Sequence, residues 1–582
     1  MAYTNVAVYL SRMARDKPFM SAIICPAARD RLGRVTYSIL TFRQLDALST
    51  RIGRGFLARR FSPGTRCVLM VTPSPEFFAL TFGLLKSGIV PIMVDPGMGA
   101  AGVKQCIAEA GPSLFIGIPK AHLARILLGW GRSTIQSAVT VHLTRDPAKR
   151  LYTWGISLED IIRSGTDDPF FDLDDPAFSD HTTADTMAAI NFTSGSTGVP
   201  KGAIYTHGIF SAQVELIRKT YGIEPGEIDL CTFPLFALFA PALGMTAVIP
   251  DMDFTRPAQV DPRHIRQAMD DWGPTNMFGS PALLNTVGRW CRDSTITFPS
   301  LRRVICAGAP IQPAILQRFT PSLTGAAQVY SGYGATEAMP LASIGSRDIL
   351  DITSRGTREG KGICVGIANA GIDLDIICIT DEPIAEWSDS LRIPSGEIGE
   401  IVARGPIVTQ AYFNRESATR TSKIFDPLSG RMRHRMGDLG WIDSDGRLWF
   451  CGRKSHRVVT PTGTLFTVPV EGVFDSHPLI FRTALVGIGE PGQQDPVLCI
   501  ELEKNKDNKR RSIAPPSPFL IELRRLADQT PSTRAVHKCI FHPSFPVDIR
   551  HNSKIFREKL RAWVMRHTHD IILFSDVPGD GS

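Results

Sequence analysis

The sequence predicts an α/β protein. A large N-terminal part of parallel-rich sheets covered by helices is followed by a small α+β part. Three observations predict it. Strand and helix patterns alternate through the first half, a hydroxyl-rich glycine loop joins two strand-like runs, and the rhythm shifts to compact α+β near Gly452. Alternating strands and helices need crossovers, which lay strands parallel and put helices on the sheet faces.

The elements follow in order. Residues 41–44 form a capping box, in which Thr41 and Gln44 satisfy free N–H groups, and Leu45, Leu48, Ile52 and Phe56 then share one helical face. A strand at 67–71, a helix at 75–86, a strand at 89–94, a helix at 102–110 and a strand at 114–118 complete a βαβαβ rhythm. Strands at 189–192 and 203–205 bracket the glycine loop. Ile209, Phe210, Val214, Ile217 and Tyr221 form a helical stripe that Gly222 stops. A second alternating block runs over about 262–340, and a turn-rich segment near 380–400 leads into shorter strands. Beyond it are a hairpin at 457–468, strands at 483–487 and 497–502, and helices at 519–527 and 557–566.

The glycine loop holds Thr193, Ser194, Gly195, Ser196, Thr197, Gly198 and Lys201. Glycines let backbone N–H groups close on an anion, the hydroxyls add donors, and the lysine adds a point charge. That is chemistry for a polyphosphate. Lys201 is followed by Gly202, and the loop joins strand to strand, so it is not a Walker A loop.

At 582 residues, 43% hydrophobic and 21% charged, the chain belongs with globular proteins rather than disordered ones. A net charge of +7, spread along the chain, does not imply nucleic acid. The 11 cysteines form no CxxC pair, which fits a reducing cytoplasm and offers no metal-site spacing. Cys67, Cys306, Cys378 and Cys499 sit in apolar runs and read as buried. The longest apolar run, 235–250, contains Pro241 and falls short of the roughly 20 residues a spanning helix needs. It reads as protein interior, suited to an acyl pocket. The basic run 504–511 reads as a solvated loop.

Further segments stand in a fixed order after the loop: 304–310, 330–337, 396–405, 434–440, 449–455 and 545–559. Together with the loop they resemble the motifs of the adenylate-forming superfamily, which includes acyl-CoA synthetases, luciferases and peptide-synthetase adenylation domains. The resemblance implies ATP and Mg²⁺. It implies that Gly308, Ala309 and Pro310 pack against adenine, that Tyr333 stacks on it beside Gly334 and Ala335, and that Thr336 contacts phosphate. Glu337 is the implied Mg²⁺ ligand, Asp438 the acceptor for both ribose hydroxyls, and Arg453 a contact to ribose or phosphate. Segment 396–405 is structural. Lys554 is the implied catalytic lysine that bridges carboxylate and α-phosphate, assisted by Lys201 and Thr336. Aromatic faces suit a purine, and a carboxylate suits a hard cation that bridges phosphates. The family hinge would fall near Lys454–Ser455. It divides the chain into a large adenylation domain, 1–453, and a small mobile lid, 454–582. Two positions depart from the pattern: Ser553 stands where the family has glycine, and Ser455 where it usually has Asp or Lys.

These parts suit attack of a carboxylate on the α-phosphorus of MgATP, giving an acyl-adenylate and pyrophosphate without a covalent enzyme nucleophile. Acyl-CoA synthetases usually place an aromatic or histidine after a Pro-Leu-Phe-like segment to gate a thiol tunnel; Ala237 stands there instead. With segments 248–259, 278–282 and 545–552, this region resembles the branch that makes β-lactones in olefin pathways. That resemblance implies a long-chain 2-alkyl-3-hydroxyalkanoic acid as substrate, whose own β-hydroxyl displaces AMP. It also implies association with the pathway's reductase and β-lactone decarboxylase. The main alternative is a long-chain fatty acyl-CoA synthetase; a non-catalytic scaffold conflicts with the retained Lys201, Glu337, Asp438 and Lys554. For the base that takes the hydroxyl proton, His207 and Asp251 stand near informative motifs, with a structural role open for each.

Overall fold

The computed structural model describes residues 5–143, 153–165, 182–193, 199–503, 517–547 and 555–576. The first alternating block is a seven-stranded sheet. Its order is Ile156–Ser157, Ser137–Thr140, Leu114–Gly117, Arg66–Met70, Val90–Met93, Met187–Phe192 and Gly202–Thr206. All neighbours are parallel except the last, which returns antiparallel on Met187–Phe192. Leu114–Gly117 is buried at every position, as a strand covered on both faces must be. The capping box forms: Thr41 Oγ1 accepts the Gln44 N–H at 3.2 Å, and Gln44 Oε1 accepts the Thr41 N–H at 2.9 Å. It opens helix Phe42–Ala58, which packs Leu45, Ile52 and Phe56 into the core with helix Pro75–Lys86.

The second alternating block builds the middle of a 14-stranded sheet. Thr246–Val248, Ile228–Cys231, Asn276–Gly279, Arg303–Cys306 and Gln328–Ala335 lie side by side and parallel. From Gln328–Ala335 onward the sheet turns antiparallel through Ala338–Gly345, Ile363–Ala368, Leu448–Arg453, Arg431–Ile442, Gly399–Arg404 and Asp373–Ile377. The apolar run 235–250 folds into helices Pro234–Ala237 and Phe239–Leu243 and strand Thr246–Val248; residues 240–250 are buried as expected, Phe236, Leu238 and Phe239 are half-buried, and Leu235 is exposed.

A four-stranded sheet follows, in the order Ile480–Ile488, Asp495–Leu502, Lys538–Phe541 and Ile572–Leu573. Alternation sends Leu485 and Leu498 to one face, against Phe519 and Leu523 of helix Ser517–Gln529. Ala484 and Val486 go to the other, against Leu560 and Val564 of helix Arg557–Arg566. This part touches the large sheet's side through polar pairs: Gln312 Nε2 donates to Asp475 at 3.0 Å, and Arg318 meets Glu503 at 2.7 Å.

Two expectations are corrected. Cys378 is exposed, because it lies just past the end of strand Asp373–Ile377, whereas Cys67, Cys306 and Cys499 are buried. The hairpin ends at Leu465, and Thr467–Phe474 is a helix. That helix carries almost no polar face because most of it is buried, so it lacks the periodic signature of a surface helix. The basic run 504–511 lies outside the described residues.

Candidate functional site

The carboxyl ends of the parallel strands open into a cavity of about 1090 Å³. Open α/β sheets bind ligands at that end, where strands stop and backbone turns away. Strand Arg303–Cys306 delivers Gly308, Ala309 and Pro310 to its wall, and the neighbouring Gln328–Ala335 delivers Tyr333, Gly334 and Ala335. Gly334 has no room for a side chain, since a Cβ there would stand 2.6 Å from the Ala338 carbonyl oxygen. The tight reversal that follows presents Thr336 and Glu337 to the same space.

Asp438 and Arg453 are direct partners on antiparallel strands Arg431–Ile442 and Leu448–Arg453. Arg453 Nη1 lies 3.0 Å from Asp438 Oδ1 and donates to the Met436 carbonyl at 3.1 Å. The Tyr333 hydroxyl donates to Asp438 Oδ2 at 2.8 Å. Burial, then the Asp438 charge, pushes the Tyr333 phenol well above its usual range, so it remains a donor. The carboxylate's charge in turn raises Arg453.

The glycine loop is tied at its base. The Thr193 N–H donates to the Lys201 carbonyl at 2.9 Å, and the Lys201 N–H to Thr193 Oγ1 at 3.4 Å. Ser194, Gly195, Ser196, Thr197 and Gly198 lie outside the described residues. Lys201 Nζ stands 5.2 Å from the centroid of Tyr412, and Lys423 Nζ stands 5.9 Å from the same ring. The Tyr412 hydroxyl donates to Glu337 Oε1, and the Tyr205 hydroxyl donates to the Thr336 carbonyl. Buried Lys423 donates to Thr409 Oγ1 at 3.1 Å; burial lowers it to about 7, against the pull of Glu337. Across the strand pair from Lys423, His434 lines the cavity with Nδ1 3.1 Å from the Ser422 carbonyl. Burial, and then the Lys423 charge, holds it neutral.

Thus Thr193, Lys201, Gly308, Ala309, Pro310, Tyr333, Gly334, Ala335, Thr336, Glu337, Asp438 and Arg453 share one cavity wall. Lys554 lies outside the described residues, but Ile555 and Arg557, just beyond it, line the same cavity. His207 and Asp251 do not line it. His207 is buried, and its Nδ1 accepts the Val6 N–H at 3.3 Å; Asp251 pairs with Arg29 at the surface. Ala237 is also off the wall and packs into the core, while Leu235, Phe236, Leu238 and Phe239 on either side of it face the cavity. Phe236 stacks on Phe278 at 4.2 Å and 15°, and Phe239 approaches Phe210 at 6.2 Å, which makes the chamber's apolar side.

Tyr412, Lys423, Tyr205 and the buried His434 were not singled out from sequence as site residues, although His434 opens the segment 434–440, and Phe210 was read only as part of a helical stripe. For Tyr205, alternation from Ala203 places it on the inward face. Mg²⁺ fits the donor set. Glu337 offers buried carboxylate oxygen, and among the described residues no group of three or more His, Cys, Asp or Glu could hold a metal alone. Mg²⁺ favours one or two carboxylates completed by phosphate oxygens and water.

A family model described as AMP-binding enzyme matches residues 12–413. The chain is 46% identical over 566 residues to the olefin beta-lactone synthetase of Xanthomonas campestris pv. campestris, covering 96% of this chain and 97% of that one. It is 45% identical to the olefin beta-lactone synthetase of Stenotrophomonas maltophilia, covering 96% and 98%. The fold matches the O-succinylbenzoate coenzyme A synthetase of Bacillus subtilis in complex with ATP and magnesium ion. There the TM-score is 0.70, at 19% identity over 95% of this chain and 99% of that one.

Proposed function

Because the chain belongs to the AMP-binding enzyme family, we propose that it is an ATP-dependent β-lactone synthetase acting on a long-chain 2-alkyl-3-hydroxyalkanoic acid. The observation that carries this is one continuous cavity. Its polar end holds Lys201, Glu337, Asp438 and Arg453, and its apolar side holds Phe210, Phe236, Phe239 and Phe278. A nucleotide and an alkyl acid can meet there, and the full-length kinship to olefin β-lactone synthetases selects the product.

The residues divide the work by position. Asp438, with two acceptor oxygens, orients the ribose, and Tyr333 with the 308–310 turn takes the adenine face. Lys201 and the loop donors hold the phosphates; Lys554 neutralises charge as the acid's carboxylate oxygen attacks the α-phosphorus and pyrophosphate leaves. Glu337 would hold magnesium, which would supply charge neutralisation for the phosphates. Tyr412 keeps Glu337 oriented by its hydroxyl and keeps Lys201 over its ring. The β-hydroxyl oxygen then attacks the activated carbonyl carbon, its proton passes to a base, AMP leaves, and a four-membered lactone closes. The acceptor is tethered to the electrophile, so folding the two alkyl chains within the apolar chamber supplies the effective molarity. In this reading residues 1–453 form the adenylation domain and 454–582 the lid that brings Lys554 to the carboxylate. An olefin requires loss of carbon dioxide from the lactone, which supports assembly with a decarboxylase downstream and with the reductase that sets the hydroxyl upstream.

The test is incubation with ATP, Mg²⁺ and a β-hydroxy acid, with and without CoA. Lactone, AMP and pyrophosphate formed without CoA are expected. A thioester product with a strict CoA requirement would overturn the proposal in favour of a long-chain acyl-CoA synthetase.

A further inference from the structure

Helix Pro119–Leu128 has its polarity inside out. His122 is fully buried, with Nε2 3.1 Å from the Val139 carbonyl and its ring against Phe115 and Trp154. Arg125 lies on the same inner side, its guanidinium 5.3 Å from the Phe115 centroid. Facing out are Leu123, Ile126, Leu127 and Leu128, which are 49%, 50%, 74% and 42% exposed. A helix that meets only water buries its apolar stripe and shows its polar one. The reverse arrangement leaves four large aliphatic side chains contiguous at the surface, which is the mark of a contact face.

The surroundings are basic. Between residues 96 and 143 the chain carries Lys104, Lys120, Arg125 and Arg132 but a single acid, Glu109, and Arg415 engages that acid at 2.6 Å. Lys104, Lys120 and Arg132 are exposed. Lys104 comes from the neighbouring helix Gly99–Ala110, and its Nζ lies 3.9 Å from where a Cβ on Gly129 would stand. Its charge therefore sits at the C-terminal end of the apolar helix, beside Leu128. Helix Gly99–Ala110 also begins close to Asp95, which lines the cavity. Among the described residues no helix is long and apolar enough to cross a membrane.

We infer that helix Pro119–Leu128, flanked by Lys120 in its first turn and Lys104 at its C-terminal end, is a peripheral docking surface for an anionic lipid bilayer. Its leucines and isoleucine enter the acyl boundary while the cations meet headgroup phosphates. The purpose of the contact rests on the proposed function, since an acid with two long chains and its lactone both partition into lipid. The contact itself does not, and so can be tested without substrate.

The full-length protein is mixed with vesicles of phosphatidylcholine alone or with one-third phosphatidylglycerol, and bound protein is separated by flotation. Binding to the anionic vesicles is expected, with about tenfold less on neutral ones or at high salt. A Leu123→Asp/Leu127→Asp variant is expected to bind about tenfold less, with unchanged melting temperature and unchanged pyrophosphate release on a short, water-soluble β-hydroxy acid. A second variant, Lys104→Glu/Lys120→Glu, keeps the apolar face and is expected to lose only the preference for anionic lipid. Equal binding by wild type and the Asp variant overturns the inference. So does concentration-dependent self-association that the Asp variant abolishes in the absence of vesicle binding, since the face would then be a protein interface. Failure of lactone formation with intact vesicle binding counts against the proposed reaction and leaves the docking surface standing.

Discussion

Replacing Asp438 with Asn separates the nucleotide contact from the local architecture, because the amide keeps the shape and loses the charge. Two costs follow. At 3.0 Å from Arg453 the carboxylate is worth about 5 kcal/mol in gross Coulomb energy at an effective dielectric of about 20. The Arg453 side chain is 35% exposed, so water screens the pair and rehydrates the arginine, leaving about 1–2 kcal/mol of stability at stake. The ribose term is separate. A carboxylate accepting two hydroxyls makes two charge-assisted bonds, and each weakens by about 1–1.5 kcal/mol on becoming neutral. The sum, about 2–3 kcal/mol, raises the KM for ATP about 30- to 150-fold. Pyrophosphate release against ATP concentration measures it, and the comparison with 2′-deoxy-ATP decides the cause. Wild type should lose about tenfold on the deoxy analogue, while Asp438→Asn should lose under threefold more, because the partner is already gone. Additive penalties, or a KM for ATP within threefold of wild type, would refute the assignment of Asp438 to the ribose.

Three other outcomes follow. Lys554→Ala should reduce adenylation by at least about a hundredfold while the dissociation constant for ATP, measured calorimetrically, stays within a few-fold; robust adenylate formation removes Lys554 from the chemistry. Lys86→Met should destabilise by about 3–5 kcal/mol, because fully buried Lys86 lies 2.6 Å from Asp46 and also donates to Ser49 and Thr50; the double variant with Asp46→Leu should recover much of this in thermal melts. Burial lowers His207 from 6.5 to about 4, so the unfolded chain binds the extra proton first as pH falls. Its contribution is intact above about pH 6.5 and is lost between there and pH 4, costing wild type about 3 kcal/mol relative to His207→Gln; parallel acid-unfolding profiles for the two proteins would rule this out.

Much of the fold was legible because local rules act within a few residues. The Thr41–Gln44 box, Gly222 as a helix stop and the parallel strands at 67–71 and 114–118 each announce themselves by spacing. Helix Thr467–Phe474 escaped because burial removed its polar face, and Cys378 was misplaced because the apolar pattern around it says nothing about where the strand ends. At the site, Thr193, Lys201, Tyr333, Glu337 and Asp438 were found through motifs. Tyr412 and Lys423 sit in a stretch with no motif, and their place around Glu337 depends on strands meeting far from it in sequence.

By itself the sequence determined the chemistry on offer: a hydroxyl-rich glycine loop with one lysine, then an aromatic, a carboxylate and a second lysine in a fixed order. Those residue types suit a polyphosphate, an aromatic base and a hard cation. Only the tertiary structure decided that Lys201 and Glu337 meet, since they share Tyr412 as a common neighbour although long stretches of chain separate them. It also decided that Ala237 turns into the core while its neighbours face the chamber, and that helix Pro119–Leu128 turns its leucines outward. The physical reason is that side-chain direction depends on how whole sheets and helices pack, and that packing sums over contacts no local spacing encodes.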